Sequence, residues 1–146
     1  FRFYRAGLKI VGLDKVLHYW RDRSDRISRT WEVYKDNRYF DMKVRFFYEL
    51  DRDISRPLVI WGAGKNGKDL TKLIIDKEQE VHWVCDNEGK IGKDIYGLRM
   101  KHFSHIKSLI EPQIIIAVSS PQGQTEIHKQ LKDWNKVPVK DYWFFS

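Results

Sequence analysis

Pro57-Leu58-Val59-Ile60-Trp61-Gly62-Ala63-Gly64-Lys65-Asn66-Gly67 opens a stretch that closes, after an amphipathic run, on Val81-His82-Trp83-Val84-Cys85-Asp86. The apolar residues ending at Trp61 read as a short buried strand. Glycines at 62, 64 and 67 carry the G-x-G-x-x-G spacing that joins such a strand to a helix. Each glycine has its own reason: Gly62 permits the sharp turn, Gly64 lets a diphosphate approach the backbone, and Gly67 allows close packing of helix on strand. A helix starting at Lys65 turns its first N–H groups and positive dipole end toward an anion. Asp86 lies 19 residues beyond Gly67, near the ~20 expected of a carboxylate that accepts hydrogen bonds from ribose hydroxyls. The expected unit is a Rossmann-like βαβ, with Gly62, Ala63, Gly64, Lys65, Asn66, Gly67, Asp86 and Asn87 as candidate cofactor-binding residues. A packing-only reading of the glycines stands beside it, because a fold does not fix a function. Gly62 to Lys68 also matches G-x-x-x-x-G-K, but Asp69 stands where a triphosphate loop needs a hydroxyl for magnesium, and its charge would repel phosphate.

The surroundings fit a globular chain. Of 146 residues, 42% are hydrophobic and 32% charged, which is enough apolar material for one domain and an appendage. No apolar run approaches the ~20 residues of a membrane span, no signal peptide opens the chain, and the expected compartment is the cytoplasm. The single cysteine, Cys85, cannot form an internal disulfide, and inside an apolar strand it reads as a packed thiol. A start at Phe1 reads as a fragment of something longer. The net charge is +7, and residues 1–57 hold 14 Lys and Arg against 9 Asp and Glu, so most of the excess precedes the glycine loop. Such a surface suits nucleic acid, an anionic membrane face or phosphorylated substrates, or is simply solvated. With no recognition motif beyond charge, nucleic acid is not the expected partner.

Taken in order, Leu8 to Trp20 reads as two short extended pieces around Gly12 and Asp14. Arg21 to Arg29 reads as a polar loop whose arginines either meet an anion or pair with Asp22 and Asp25. Trp31 to Ile54 reads as a helix with one apolar face through Phe40, Val44 and Phe47, stopped before Pro57. Tyr39 and Lys43 match the Tyr-x-x-x-Lys of short-chain dehydrogenases by chance, since they precede the glycine loop. Beyond it come a helix from Lys65 to about Lys77, a glycine-rich loop with a short β excursion over 87–100, and a short helix near Ser104–Ile110. Gln113–Val118 reads as a buried strand. A helix capped by Ser119 or Ser120 with Pro121 in its first turn follows, and a last strand ends the chain near Phe145. The alternation implies an α/β fold with a mainly parallel sheet and helices on both faces, preceded by a short extended and helical segment. His102 and His105 lack a third ligand at suitable spacing, so no metal site is expected.

Leu17-His18-Tyr19-Trp20-Arg21-Asp22-Arg23-Ser24-Asp25-Arg26-Ile27-Ser28-Arg29, within Phe3–Arg29, resembles the end of the catalytic domain of bacterial family 2 glycosyltransferases. Gly62-Ala63-Gly64, Asp86-Asn87, Lys90-Ile91-Gly92 and Ile95-Tyr96-Gly97 resemble the Rossmann-like module that follows some of those enzymes and recurs in bacterial sugar acyltransferases and sugar C-methyltransferases. The resemblance implies residues 1–56 as the tail of a glycosyltransferase catalytic domain with a connecting helix, and 57–146 as a nucleotide-binding domain. It implies a nucleotide or nucleotide-sugar at Gly62, Gly64 and Asp86, the remainder of the catalytic domain as partner, and polysaccharide assembly as the setting. The family's paired metal-holding aspartates and its catalytic acidic residue, the base, are absent, so no catalytic residue is expected in this chain. The alternative is an NAD(P)-dependent oxidoreductase or epimerase domain, which needs a general acid or base near the cofactor.

Overall fold

The computed structural model describes residues 2–9, 11–19, 21, 23, 25 and 39–146. A four-residue helix, α1 (Arg2–Arg5), and a longer one, α2 (Tyr39–Leu50), precede a sheet. The chain continues through β1 (Leu58–Trp61), α3 (Lys65–Ile74) with a 3₁₀ extension over Ile75–Lys77, β2 (Val81–Cys85) and a hairpin of β3 (Asp94–Ile95) and β4 (Leu98–Arg99). It ends with β5 (Lys101–His102), a 3₁₀ segment Phe103–Ser108, β6 (Gln113–Ile116), α4 (Pro121–Asp133) and β7 (Tyr142–Phe144).

The main sheet runs β5-β2-β1-β6-β7 with every pairing parallel, the expected α/β Rossmann-like fold. Strand alternation divides two cores. Leu58, Ile60, Trp83 and Ile115 face one side, where Phe40, Val44 and Phe47 of α2 and Leu70 and Ile74 of α3 cover them. Val59, Trp61, Val84, Ile114 and Ile116 face the other, under Ile127 and Leu131 of α4 and Ile106 of the 3₁₀ segment. Each such side chain fully buried contributes about 1.5–3 kcal/mol. Among the described residues no helix is long and apolar enough to cross a membrane.

The amino-terminal end of the sheet is closed by buried ion pairs. Arg52 meets Glu78 at 2.7 Å, with side chains only 3% and 8% exposed, and the Tyr48 hydroxyl donates to the same carboxylate. Burial and that carboxylate push the Tyr48 phenol well above its usual range. Arg56 donates to Asp141 at 2.6 Å and to the carbonyls of Glu111, Pro112 and Lys140. At the opposite, carboxyl end of the sheet the strand order turns back on itself between β1 and β6.

Several elements differ from the sequence reading. Leu8–Tyr19 contains no strand among its described residues; the extended expectation rested on a few apolar residues without partners to pair with. The helix expected over 31–54 ends at Leu50, and 31–38 lie outside the described residues. It stops because Arg52 N–H bonds back to Phe47 O while buried Gln113 takes up Asp53 N–H and Asp51 C=O. The helix near 104–110 is a 3₁₀ segment begun by His102, whose side chain accepts from Ser104 N–H. The strand expected to reach Val118 leaves the sheet after Ile116. Of the arginine loop, only Arg21, Arg23 and Asp25 are described, with Arg23 and Asp25 paired at 3.0 Å on the surface.

Candidate functional site

Two strand-to-helix turns meet at the reversal of strand order, the place where α/β sheets leave a crevice beyond their carboxyl ends. The first runs from Trp61 to Lys65. Gly62 adopts φ +134°, the region glycine favours, and a Cβ there would lie 3.2 Å from the Ala117 carbonyl carbon. Its own carbonyl accepts a 2.8 Å bond from the indole N–H of buried Trp83, which pins the turn from the neighbouring strand. A Cβ on Gly67 would sit 2.0 Å from that same carbonyl oxygen, so only glycine lets α3 start this close to β1. Both glycines are required by the fold itself.

Gly64 is different. It is exposed, its φ of −79° and ψ of −169° are ordinary extended values, and nothing lies within 4 Å of where a Cβ would be. It is the N-cap of α3 and offers no capping side chain. Glycine at 64 therefore serves neither turn nor packing. What its missing side chain leaves is open backbone at the positive end of a helix.

A cleft of about 310 Å³ opens there. Gly62, Ala63, Gly64, Lys65, Asn66, Asp86 and Asn87 all line it, whereas Gly67 lies buried beneath the helix and takes no part in the lining. The remaining wall is formed by Lys90 and by the second turn, Ala117 to Ser120. Lys90 Nζ donates to Ala63 O at 2.7 Å; an ammonium has three donors, so this one both braces the turn and brings positive charge to the cleft. Asp86 stands exposed just past β2 on the cleft wall; an ionised carboxylate accepts from hydroxyls. Tyr96 does not enter: it stacks on Trp83 at 6.2 Å, under Lys72.

The second turn closes itself. Ser120 caps α4 by accepting from Gly123 N–H at 3.2 Å, with Pro121 in the first turn. Gln124 donates to Val118 O and Ser146 O, and Asn66 donates to Ser146 Oγ at 3.0 Å, so residue 146 links the two helix starts. Burial raises the Cys85 thiol above its usual value, in keeping with a packed side chain. At the far edge, desolvation, with Lys101 and His105 nearby, holds His82 below its usual value despite Glu80 at 3.5 Å. Among the described residues no group of three or more His, Cys, Asp or Glu gathers as a metal site would.

Sequence reasoning missed Lys90 and residues 117–120 as cleft residues, and Trp83 as the brace of the turn. The Lys90-Ile91-Gly92 motif was visible, but only the fold brings it 27 residues back to Ala63. The sequence matches no protein-family model and no curated protein. Among solved structures it is similar to UDP-D-quinovosamine 4-dehydrogenase from Vibrio fischeri, at 20% identity and a TM-score of 0.41, over 53% of this chain and 70% of that one. So distant a likeness does not bear on function.

Proposed function

We propose that the cleft between the two turns binds a nucleotide or nucleotide-sugar through its diphosphate, as an accessory domain of a glycosyltransferase whose catalytic base lies outside this chain. The observation that supports it most is Gly64, a glycine at the N-cap of α3 that brings no capping side chain and that neither backbone conformation nor packing demands. The diphosphate rests against the amides of Lys65 and Asn66, with Lys90 beside it and Asp86 accepting from ribose hydroxyls. The glycosyltransferase setting rests on the resemblance of Phe3–Arg29 to the end of such a catalytic domain and of the glycine-loop half to the module that follows some of those enzymes.

The test is thermal unfolding with UDP, UDP-sugars and NAD(P) in parallel. At a hundredfold excess over the dissociation constant, a ligand stabilises by about 2.7 kcal/mol, roughly 8 °C for a chain of this size. Stabilisation by UDP or UDP-sugars and none by NAD(P) supports the proposal; the reverse supports the oxidoreductase reading. Gly64→Val places a side chain in open cleft on unstrained backbone, so it should leave the fold intact and abolish the shift. Retained binding in that variant would exclude the cleft.

A further inference from the structure

Between Arg2 and Tyr19 seven large apolar side chains, from Phe3 through Leu13 to Tyr19, stand 55–88% exposed, and none of the described residues there enters either core. Among the other described residues, exposed apolar side chains are fewer and, apart from Val137 and Val139, stand singly. The same segment opens a region, residues 1–29, with eight Lys and Arg against three Asp, most of the chain's excess of +7. Its start is fixed to the end of α2, where Tyr4 donates to Asp51 and Arg5 meets Glu49 at 3.0 Å.

We propose that this segment docks the protein on an anionic lipid bilayer. The charge complements such a surface, and each cation held near an anionic leaflet strengthens binding about fivefold. Five of the seven exposed apolar side chains are aliphatic and enter an acyl boundary without offering bases a ring, while Phe3 and Tyr19 suit either surface. Their spacing changes along the segment, i+2 from Val11 to Leu13 and then i+3 and i+4 to Val16 and Leu17, and Gly7 and Gly12 interrupt it. A fluid surface accommodates that irregularity, whereas a protein groove requires a fixed complementary shape.

Co-sedimentation of the intact protein with phosphatidylcholine vesicles, with and without phosphatidylserine, tests this. Binding should require phosphatidylserine and weaken when salt is raised from about 0.1 to about 1 M, where the screening length falls from ~10 to ~3 Å. Leu13→Asp, Val16→Asp and Leu17→Asp together should reduce it at least about tenfold with an unchanged melting temperature, since none of the three is packed. Lys9→Glu with Lys15→Glu gives an independent charge variant and should weaken binding likewise. No sedimentation, equal binding to neutral vesicles, or undiminished binding by both variants would overturn the proposal. So would self-association or oligonucleotide binding that these variants abolish in a protein that ignores vesicles.

Discussion

The two turns that wall the cleft solve one geometric problem in opposite ways. Both carry a parallel strand into a helix at the carboxyl end of the sheet. At the β6–α4 turn, Ser120 caps Gly123 N–H and Pro121 removes a donor, so the helix start is satisfied from within. At the β1–α3 turn, Gly64 stands at the capping position with no side chain. Gly64 brings no side-chain cap to the start of α3, and Lys90 stands on the cleft wall beside it. The self-capped start a few residues away is wall. Sequence motifs therefore mark a binding turn less by how many glycines it holds than by which of them the fold does not need.

Substitutions can break this contrast, the largest effect first. Gly67→Ala forces a Cβ into the Gly62 carbonyl and should cost about 3 kcal/mol or more in urea unfolding. The matching Gly123→Ala in α4 meets side-chain atoms of Ser120 and Val118 at 2.7 and 2.9 Å, and should cost markedly less because side chains can yield. Gly64→Val should remove about 2.7 kcal/mol of nucleotide-induced stabilisation at a hundredfold ligand excess while costing the free protein no more than about 1 kcal/mol through the poorer N-cap residue. Ser120→Ala should cost about 1 kcal/mol in the free protein and preserve the ligand-induced shift.

Acid separates the cleft from the β5 edge. His82 and His105 are both held below their usual value, chiefly by desolvation and then, for each, by neighbouring Lys101. A histidine whose folded value is depressed gives stability that is complete above its unfolded value of about 6.5 and is lost as pH falls below it. The urea midpoint should therefore drop between pH 7.5 and 5, and His82→Gln should flatten that drop. The smallest effect is Gly64→Ser, which transplants the cap of α4 onto α3. It should stabilise the free protein by a few tenths of a kcal/mol and weaken nucleotide binding.

Much of the fold was legible because its signals are local. The apolar run before Gly62, the Gln113–Ile116 strand, and the Ser-Pro start of α4 each carry their structure in adjacent residues. β5 escaped because two residues, Lys101 and His102, owe their strand state wholly to pairing with Val84 and Cys85. The end of α2 escaped for the same reason, being set by Gln113 some sixty residues away. In the site, the glycines and Asp86 were readable from spacing, yet spacing treats Gly62, Gly64 and Gly67 alike. Only the geometry distinguishes two glycines required by packing from one that is not. Lys90, Trp83 and Ser120 reach the cleft or its turn through long-range contacts that no local pattern encodes.

The most direct test of that distinction is to follow backbone amide resonances while UDP is titrated into the protein. The Lys65 and Asn66 amides should shift in a saturable way, while Gly123, already bonded to Ser120, should shift little. Shifts centred on Gly123 and the start of α4, or none at Lys65 and Asn66 with UDP, a UDP-sugar or NAD(P), would contradict it.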